Sequence, residues 1–201
     1  MSKERPILFS TPMVQAILDG RKTQTRRTRG LNVINQNPND WQFEWMGYAC
    51  KLPWRFTQKS SVNKKSLKDR TFNQEAIKCP YGQAEDILWV RETWNYDPHK
   101  NVTYVYKEQG ENQSEKWKSP RFMPKEACRI KLEITGIRVE RLHNISEEDA
   151  CEEGTQNYYG VNAPYSTCKV RFSDLWDSIN EKRGYGWDIN PWVWVIEFEK
   201  L

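Results

Sequence analysis

The sequence predicts an α+β fold: a small mixed β-barrel with short helices at its ends and an irregular insertion. Three observations predict it. Five or six runs alternate apolar and polar residues with the period of a strand. Only three runs carry helical spacing, and all three are short. Strand and helix patterns do not alternate regularly, which argues against a doubly wound parallel sheet. The 201 residues fit one domain, residues 1–201, with 30–78 as the insertion.

The first element is "PILF", Pro6 to Phe9, short, apolar and β-prone. In "STPMVQAILDG", Thr11 suits a cap, Pro12 the first helical position and Gly20 a C-terminal stop. A helix is therefore expected over Thr11 to Asp19, with Met13, Val14, Ile17 and Leu18 on its apolar face. Residues 30–78 mix turn formers with aromatics. A strand is expected around Trp41 to Ala49, and the polar, basic remainder is expected to be mobile in part. "CPYGQAED" turns into the strand "ILWVRETW", and "VTYVYK" is another alternating strand.

"ACRIKLEITGIRVERL" is a long strand in which Gly136 marks a bend or bulge. "NISEEDACEEG" carries Ser146 as a cap, Asp149 at the capping-box position and Gly154 as a stop, so it is a second short helix. "SDLWDSIN" is the third, with Leu175, Trp176 and Ile179 on one face. A Gly-rich loop follows. "WVWVIEFEKL" closes the chain as a strand with Trp192, Trp194, Ile196 and Phe198 on one side, the two tryptophans being expected in the core.

Composition excludes several classes. No apolar run approaches the roughly 20 residues that span a bilayer, and "MSKERPILFS" lacks the apolar stretch of a signal peptide. A cytoplasmic protein with no membrane partner is expected. The five Cys have no CxxC spacing and there are two His, so no metal site is expected and the thiols are expected to be free. Charge is uneven. Residues 1–78 hold 15 Lys+Arg against 6 Asp+Glu, whereas 79–201 hold 16 against 21. An anionic partner for the first part follows from that asymmetry. No phosphate-binding glycine motif, HExxH or GxSxG is present; His143 reads as a surface residue after a strand.

What remains is "GRKTQTRR", Gly20 to Arg27. In extended form Lys22, Gln24 and Arg26 face one way, and Thr23, Thr25 and Arg27 the other. In a tight turn Lys22 and Thr25 can converge. A lysine activates a hydroxyl only when its pKa falls toward neutrality, through desolvation or cationic neighbours, and a carboxylate from elsewhere can relay the proton. Arginine clusters more often hold phosphate through planar forks, and a solvated basic turn is the simpler reading.

"ILFSTPMVQAILDGRKTQTRR" resembles the opening of the ASCH domain family, whose members have the PUA-like β-barrel fold. "CPYGQAEDILWVRETW" and "LWDSINEKRGYGWDINPWVWVIEFE" resemble its phage and prophage members, and "ITGIRVERLHNISEEDACEEG" resembles the strand and acidic helix between. The likeness covers residues 5–29 and 79–201. It implies RNA, single-stranded nucleic acid or a modified nucleoside as ligand, with no cofactor. Some family members are amidohydrolases on acylated cytidine, and another is a ribonuclease. Carried over by motif, Lys22 activates, Thr25 is the nucleophile and Glu153 positions or shuttles the proton, with Glu152 as its rival. The amidohydrolase members are shorter and lack the insertion. Phosphates are expected at Arg21, Arg26, Arg27 and Arg91. Aromatic walls for a base are expected at Trp94 and Trp187, with Trp89 and Tyr185 nearby. Two further readings stand beside this one: a binding module without turnover, and a non-catalytic phage structural or adaptor protein contacting another protein through 30–78.

Overall fold

The computed structural model describes residues 2–44, 54–58, 74–96, 104–109, 116–156 and 166–201. Along the chain come β1 (Glu4–Leu8), α1 (Thr11–Leu18), β2 (Gln24–Arg27), β3 (Trp41–Glu44), β4 (Trp54–Gln58), β5 (Gln74–Ile77) and β6 (Ile87–Arg91). Then follow β7 (Trp94–Tyr96), β8 (Tyr104–Tyr106), β9 (Lys131–Arg141), α2 (Glu147–Glu152), α3 (Cys168–Asn180) and β10 (Trp192–Lys200).

The fold is mixed α+β. Its main sheet has the order β1-β6-β9-β10-β2, in which β1 runs parallel to β6 and the other ladders are antiparallel. A three-stranded sheet, β3-β4-β5, and a two-stranded one, β7-β8, complete it. All three sheets are open among the described residues: no ladder joins β1 to β2, so the ring expected of a barrel is not closed by backbone pairing.

The alternation in β10 decides the layers. Trp192, Trp194, Ile196 and Phe198 face the larger core, with α1 and aromatic residues of β3 and β4. Val193 and Val195 face a second core under α2 and α3. Both faces are buried, so β10 is the central layer between them. Each such large apolar side chain contributes roughly 1.5–3 kcal/mol relative to exposure. Opposite β10, the β9 register slips at Thr135, the bulge expected near Gly136. A Cβ on Gly136 would lie 2.5 Å from Glu197 Oε2. Its absence lets Glu197 cross toward Arg138, with which it pairs.

Several expectations are corrected. Ser10, not Thr11, takes the N-cap position of α1, and no side chain caps it. "ILWVRETW" is not one strand: β6 stays in the main sheet and β7 leaves it, because Glu92 between them turns inward to Arg129. The third helix begins at Cys168 rather than Ser173, capped by the Thr167 hydroxyl. Its inner row is Cys168, Phe172, Trp176 and Asn180, at i, i+4 spacing, and Ile179 is 51% exposed.

The insertion is less irregular than expected. A strand does form at Trp41–Glu44; β4 pairs with it, and β5 pairs with the other edge of β4. Phe56 of β4 meets Trp192 edge-on at 5.3 Å, and Trp54 meets Trp194 at 5.7 Å. Leu31, Ile34, Trp41 and Phe56 thus belong to the main core. The mobility expected within 30–78 falls mostly on residues outside those described.

The free-thiol expectation is also corrected. Cys151 and Cys168 form a disulfide that ties the end of α2 to the start of α3. Cys79 and Cys128 are free, and Cys50 lies outside the described residues. Burial pushes the Cys79 thiol up to about 11, so it is protonated and unreactive at neutral pH. Among the described residues no helix is long and apolar enough to cross a membrane.

Candidate functional site

The site begins where α1 stops. Gly20, at φ +74°, turns the chain, and the amides of Arg21 and Lys22 both donate to the Ala16 carbonyl at 2.9 and 3.0 Å. Lys22 then forms an antiparallel bridge with Glu153. Beside it the Thr23 amide donates to the Glu152 carbonyl at 2.9 Å, while the Thr23 carbonyl accepts from the Phe198 amide at 2.8 Å. The approach to β2 is therefore laced between the end of α2 and β10. Gly154 makes this fit. Its φ is +92°, and a Cβ there would come within 2.9 Å of the Ala16 Cβ and 3.2 Å of the Lys22 Cβ. The α2 capping box read from Ser146 and Asp149 is present, and it fixes the helix whose last turn carries Glu153.

Lys22 and Glu153 are each 4% exposed. The Lys22 Nζ donates to Glu153 Oε2 at 2.8 Å and to the Glu153 carbonyl at 2.6 Å. It also stands 5.6 Å from the centre of the Phe9 ring. Burial pushes the Lys22 ammonium below the ordinary lysine value. Glu153 opposes that shift, and the charges of Arg27 and Arg26 add to it. Glu152, the rival carboxylate, is exposed and accepts from Gln24 Nε2 at 2.9 Å instead.

A dense network lies behind the pair. Arg26 Nη1 donates to Glu153 Oε1 at 3.2 Å. Its Nη2 reaches Glu140 Oε1 at 2.7 Å and Asp149 Oδ2 at 3.0 Å, and its Nε reaches Glu140 Oε1 at 3.1 Å. Gln24 and Arg138 also bind Asp149. Burial alone would raise the Asp149 carboxyl. Gln24, Arg26, Arg138 and the Ser146 amide outweigh burial and hold it below the usual aspartate value. Gln24, Glu140, Asp149 and Arg138 were not picked out as site residues from the sequence. The signal available was the alternation of Lys22, Gln24 and Arg26 in an extended strand.

The remaining expected site residues are placed as follows. Thr25 is 2% exposed and lies on the opposite side of β2 from Gln24 and Arg26. Among the described residues its hydroxyl makes no hydrogen bond to Lys22 or Glu153, so the structure joins two of the three, not all three. Arg21 pairs with Asp19 at 2.7 Å and donates to the Gly154 carbonyl at 3.1 Å. Arg27 donates to the Leu8 carbonyl at 2.9 Å, with its guanidinium 5.1 Å from the Phe9 ring centre. Arg91 lies 4.6 Å from the Trp89 ring centre and donates to the Arg121 carbonyl at 3.1 Å, while its Nε is buried without a partner among the described residues.

Three expectations change here. The Arg26 side chain is fully buried among carboxylates, so it cannot meet a phosphate from solvent. Trp94 is 7% exposed in a small core with Met123 and Ala127, Tyr104 edge-on at 5.7 Å and Lys118 over its ring. Stacking on a base needs an open face, which that packing removes. Trp187 packs half-buried against the second core, its ring 4.7 Å from His143 and 6.3 Å from Phe172. His143 is consequently no bare surface residue: its Nε2 shares a hydrogen bond with the Trp187 carbonyl at 2.8 Å.

No protein-family model, curated protein or solved structure matches the chain. A nearly dehydrated amine held against a carboxylate can take a proton whenever it is neutral, and can return it to a leaving group.

Proposed function

We propose that the chain is an ASCH-type, PUA-like protein acting on RNA or a modified nucleoside, with Lys22 and Glu153 at the centre of a hydrolytic site. The observation that carries this reading is their contact. Two residues separated by 131 positions, singled out by motif, meet at 2.8 Å inside the protein. The barrel is part of the proposal. What supports it is that Arg27 of β2 reaches the Leu8 carbonyl of β1, the two edges of the open sheet. The Phe9 ring centre, at the same place, lies 5.6 Å from the Lys22 amine and 5.1 Å from the Arg27 guanidinium.

In the proposed reaction Lys22 in its neutral form takes the proton of the attacking hydroxyl, on Thr25 or on a water. The oxygen bonds to the acyl carbon. The carbon–nitrogen bond then breaks, and the nitrogen leaves with a proton returned by the Lys22 ammonium. If Thr25 carries the acyl group, a second water releases it by the same exchange. Arg21 and Arg27, on the approach to Lys22, are the cations that phosphate or ribose oxygens would meet.

The test compares wild type with Lys22→Met on total bacterial RNA and a panel of acylated nucleosides, read by mass spectrometry. Methionine keeps the length of the side chain and leaves Glu153 paired with Arg26. A product formed by wild type and lost in a variant that still melts cooperatively is the expected result. Product from neither, or equal product from both, overturns the hydrolase. One observation favours a second reading, a binding module without turnover: Thr25 makes no hydrogen bond to Lys22. That reading expects binding of labelled RNA that weakens with salt and with Arg27→Ala, and no product at all.

A further inference from the structure

Arg26 was expected to hold a phosphate and does not. Its side chain is 0% exposed, and its donors are divided among three carboxylates on two elements. Glu140 comes from β9, Asp149 from α2, and Glu153 from the end of α2. The Phe172 ring of α3, 5.9 Å from the guanidinium, closes another side. A guanidinium is always charged, so this is a permanent positive charge inside the protein.

Glu153 is shared in a particular way. One oxygen, Oε1, accepts from Arg26 Nη1 at 3.2 Å, and the other, Oε2, accepts from Lys22 Nζ at 2.8 Å. The two cations thus hold the same carboxylate from opposite oxygens. They differ in what they can do: one can lose its proton and the other cannot.

We infer that Arg26 is the positioning residue of the site, the fixed counter-cation of Glu153 that lets Lys22 serve as a neutral base. The inference rests on the hydrolase reading above. Consider the charges when Lys22 gives up its proton. Glu153 is still balanced by Arg26, and Arg26 is still held by Glu140 and Asp149. Without Arg26, deprotonating Lys22 would leave Glu153 buried with no cation, a costly state. Lys22 would then keep its proton to higher pH. When Lys22 takes a proton from the attacking hydroxyl, the new ammonium finds Glu153 Oε2 already in place.

The charged groups around Lys22 are few. β2 contributes Arg26 and Arg27, and the end of α2 contributes Glu153. Glu140, Asp149 and Arg138 act through Arg26 and its neighbours. From the end of α1, Asp19 pairs with Arg21, and Phe9, just after β1, offers an uncharged ring. Burial lowers the Lys22 value most, Glu153 works against it, and Arg27 and Arg26 lower the value further.

The experiment is a lysine titration followed by NMR of the side-chain ¹³Cε signals, with no substrate present. Lys22→Met identifies the Lys22 signal by its loss. Wild type should titrate below the ordinary lysine value of 10.5. In Arg26→Gln the midpoint should move up, because a like charge is lost and Glu153 is left with Lys22 as its remaining cation. Arg26→Lys, which restores the charge, should bring it back toward wild type. Should Arg26→Gln fail to fold, Arg26→Met with Glu140→Gln removes the cation together with one of its carboxylates. The midpoint should still rise, because Arg26 touches Glu153 and Glu140 does not. An unchanged or lower midpoint in the folded variant overturns the inference. If wild type makes no product yet Arg26→Gln raises the Lys22 midpoint, the hydrolase fails while the counter-cation role stands.

Discussion

Glu92 and Glu153, two of the buried carboxylates that lie next to arginines among the described residues, are used differently. Glu92, 1% exposed, gives both oxygens to one partner: Arg129 Nε and Nη2 grip it at 2.9 and 2.8 Å. Arg129 also takes Glu108 at 2.9 Å, and its guanidinium lies 4.3 Å from the Tyr106 ring centre. Glu153 divides its oxygens between Arg26 and Lys22. Burial alone would lower the Arg129 value, but Glu92 and Glu108 outweigh it and hold it above the ordinary range. At Lys22 the balance goes the other way: burial wins and Glu153 does not recover the loss. The first arrangement is a pin between the end of β6 and the start of β9. The second leaves an amine whose charge is disfavoured where it sits. A two-toothed arginine grip suits structure, whereas a carboxylate shared between a fixed and a removable cation suits proton transfer.

The largest expected effect breaks this comparison at its centre. Glu153→Gln strands Lys22 inside the protein with no anion: Arg26 keeps Glu140 and Asp149, whereas Lys22 keeps only neutral oxygens of residue 153 among its hydrogen-bond partners in the described residues. Breaking such a buried pair from one side costs about 3–5 kcal/mol. Glu92→Gln should cost less, about 1–3 kcal/mol, because Arg129 is 24% exposed and keeps Glu108. Urea unfolding of both variants at pH 7 checks the order. Equal losses, or a larger loss for Glu92→Gln, would mean the two carboxylates are the same kind of pin.

Next in size is the disulfide, which braces one side of the comparison only. Cys151 lies two residues before Glu153, and its partner Cys168 opens α3. The bond closes a loop of sequence separation 17, for which chain entropy predicts roughly 3 kcal/mol. Reduction with dithiothreitol, or Cys151→Ser with Cys168→Ser, should lower stability by that order. Amide exchange should then speed up at Ala150 and Glu153 well before it does around Arg129. Uniform acceleration across the chain would show that the bond stabilises the whole fold and not the Glu153 side in particular.

These pieces were legible in the sequence to different degrees, for physical reasons. The alternation of Trp192 to Phe198 and the Ser146–Asp149 cap are local signals, and both are present in the structure. β4 and β5 were missed because "WRFTQ" and "QEAI" are too short to show a period. The start of α3 was missed because "CKVR" looks neither apolar nor helical, and Thr167 is its cap. Alternation alone put Arg26 and Arg27 on opposite faces of an extended strand. It could not say that α2, more than 100 residues later, would cover the Arg26 face with Asp149 and Glu153. That is a tertiary fact. The basic run therefore read as one cluster, although its members have opposite environments. The Cys151–Cys168 bond was hidden likewise, since spacing without CxxC carries no pairing information.

The smallest expected effect sharpens the comparison through pH. Asp149 supports Arg26, and its folded-state value lies below the ordinary 3.8. A carboxyl lowered by folding binds fewer protons in the native state than in the unfolded chain. Its contribution is therefore complete above the unfolded value and is lost as pH falls through the lower folded one. Stability carried by Asp149 should be flat at neutral pH and disappear in the acid region below about pH 4. Asp149→Asn keeps an oxygen for the Arg26 guanidinium but no longer titrates. The difference in unfolding free energy between wild type and this variant should shrink steadily on acidification, and the acid limb of the variant should be shallower. Parallel limbs for the two proteins would remove Asp149 from the charge network, and with it part of what anchors Arg26 against Glu153.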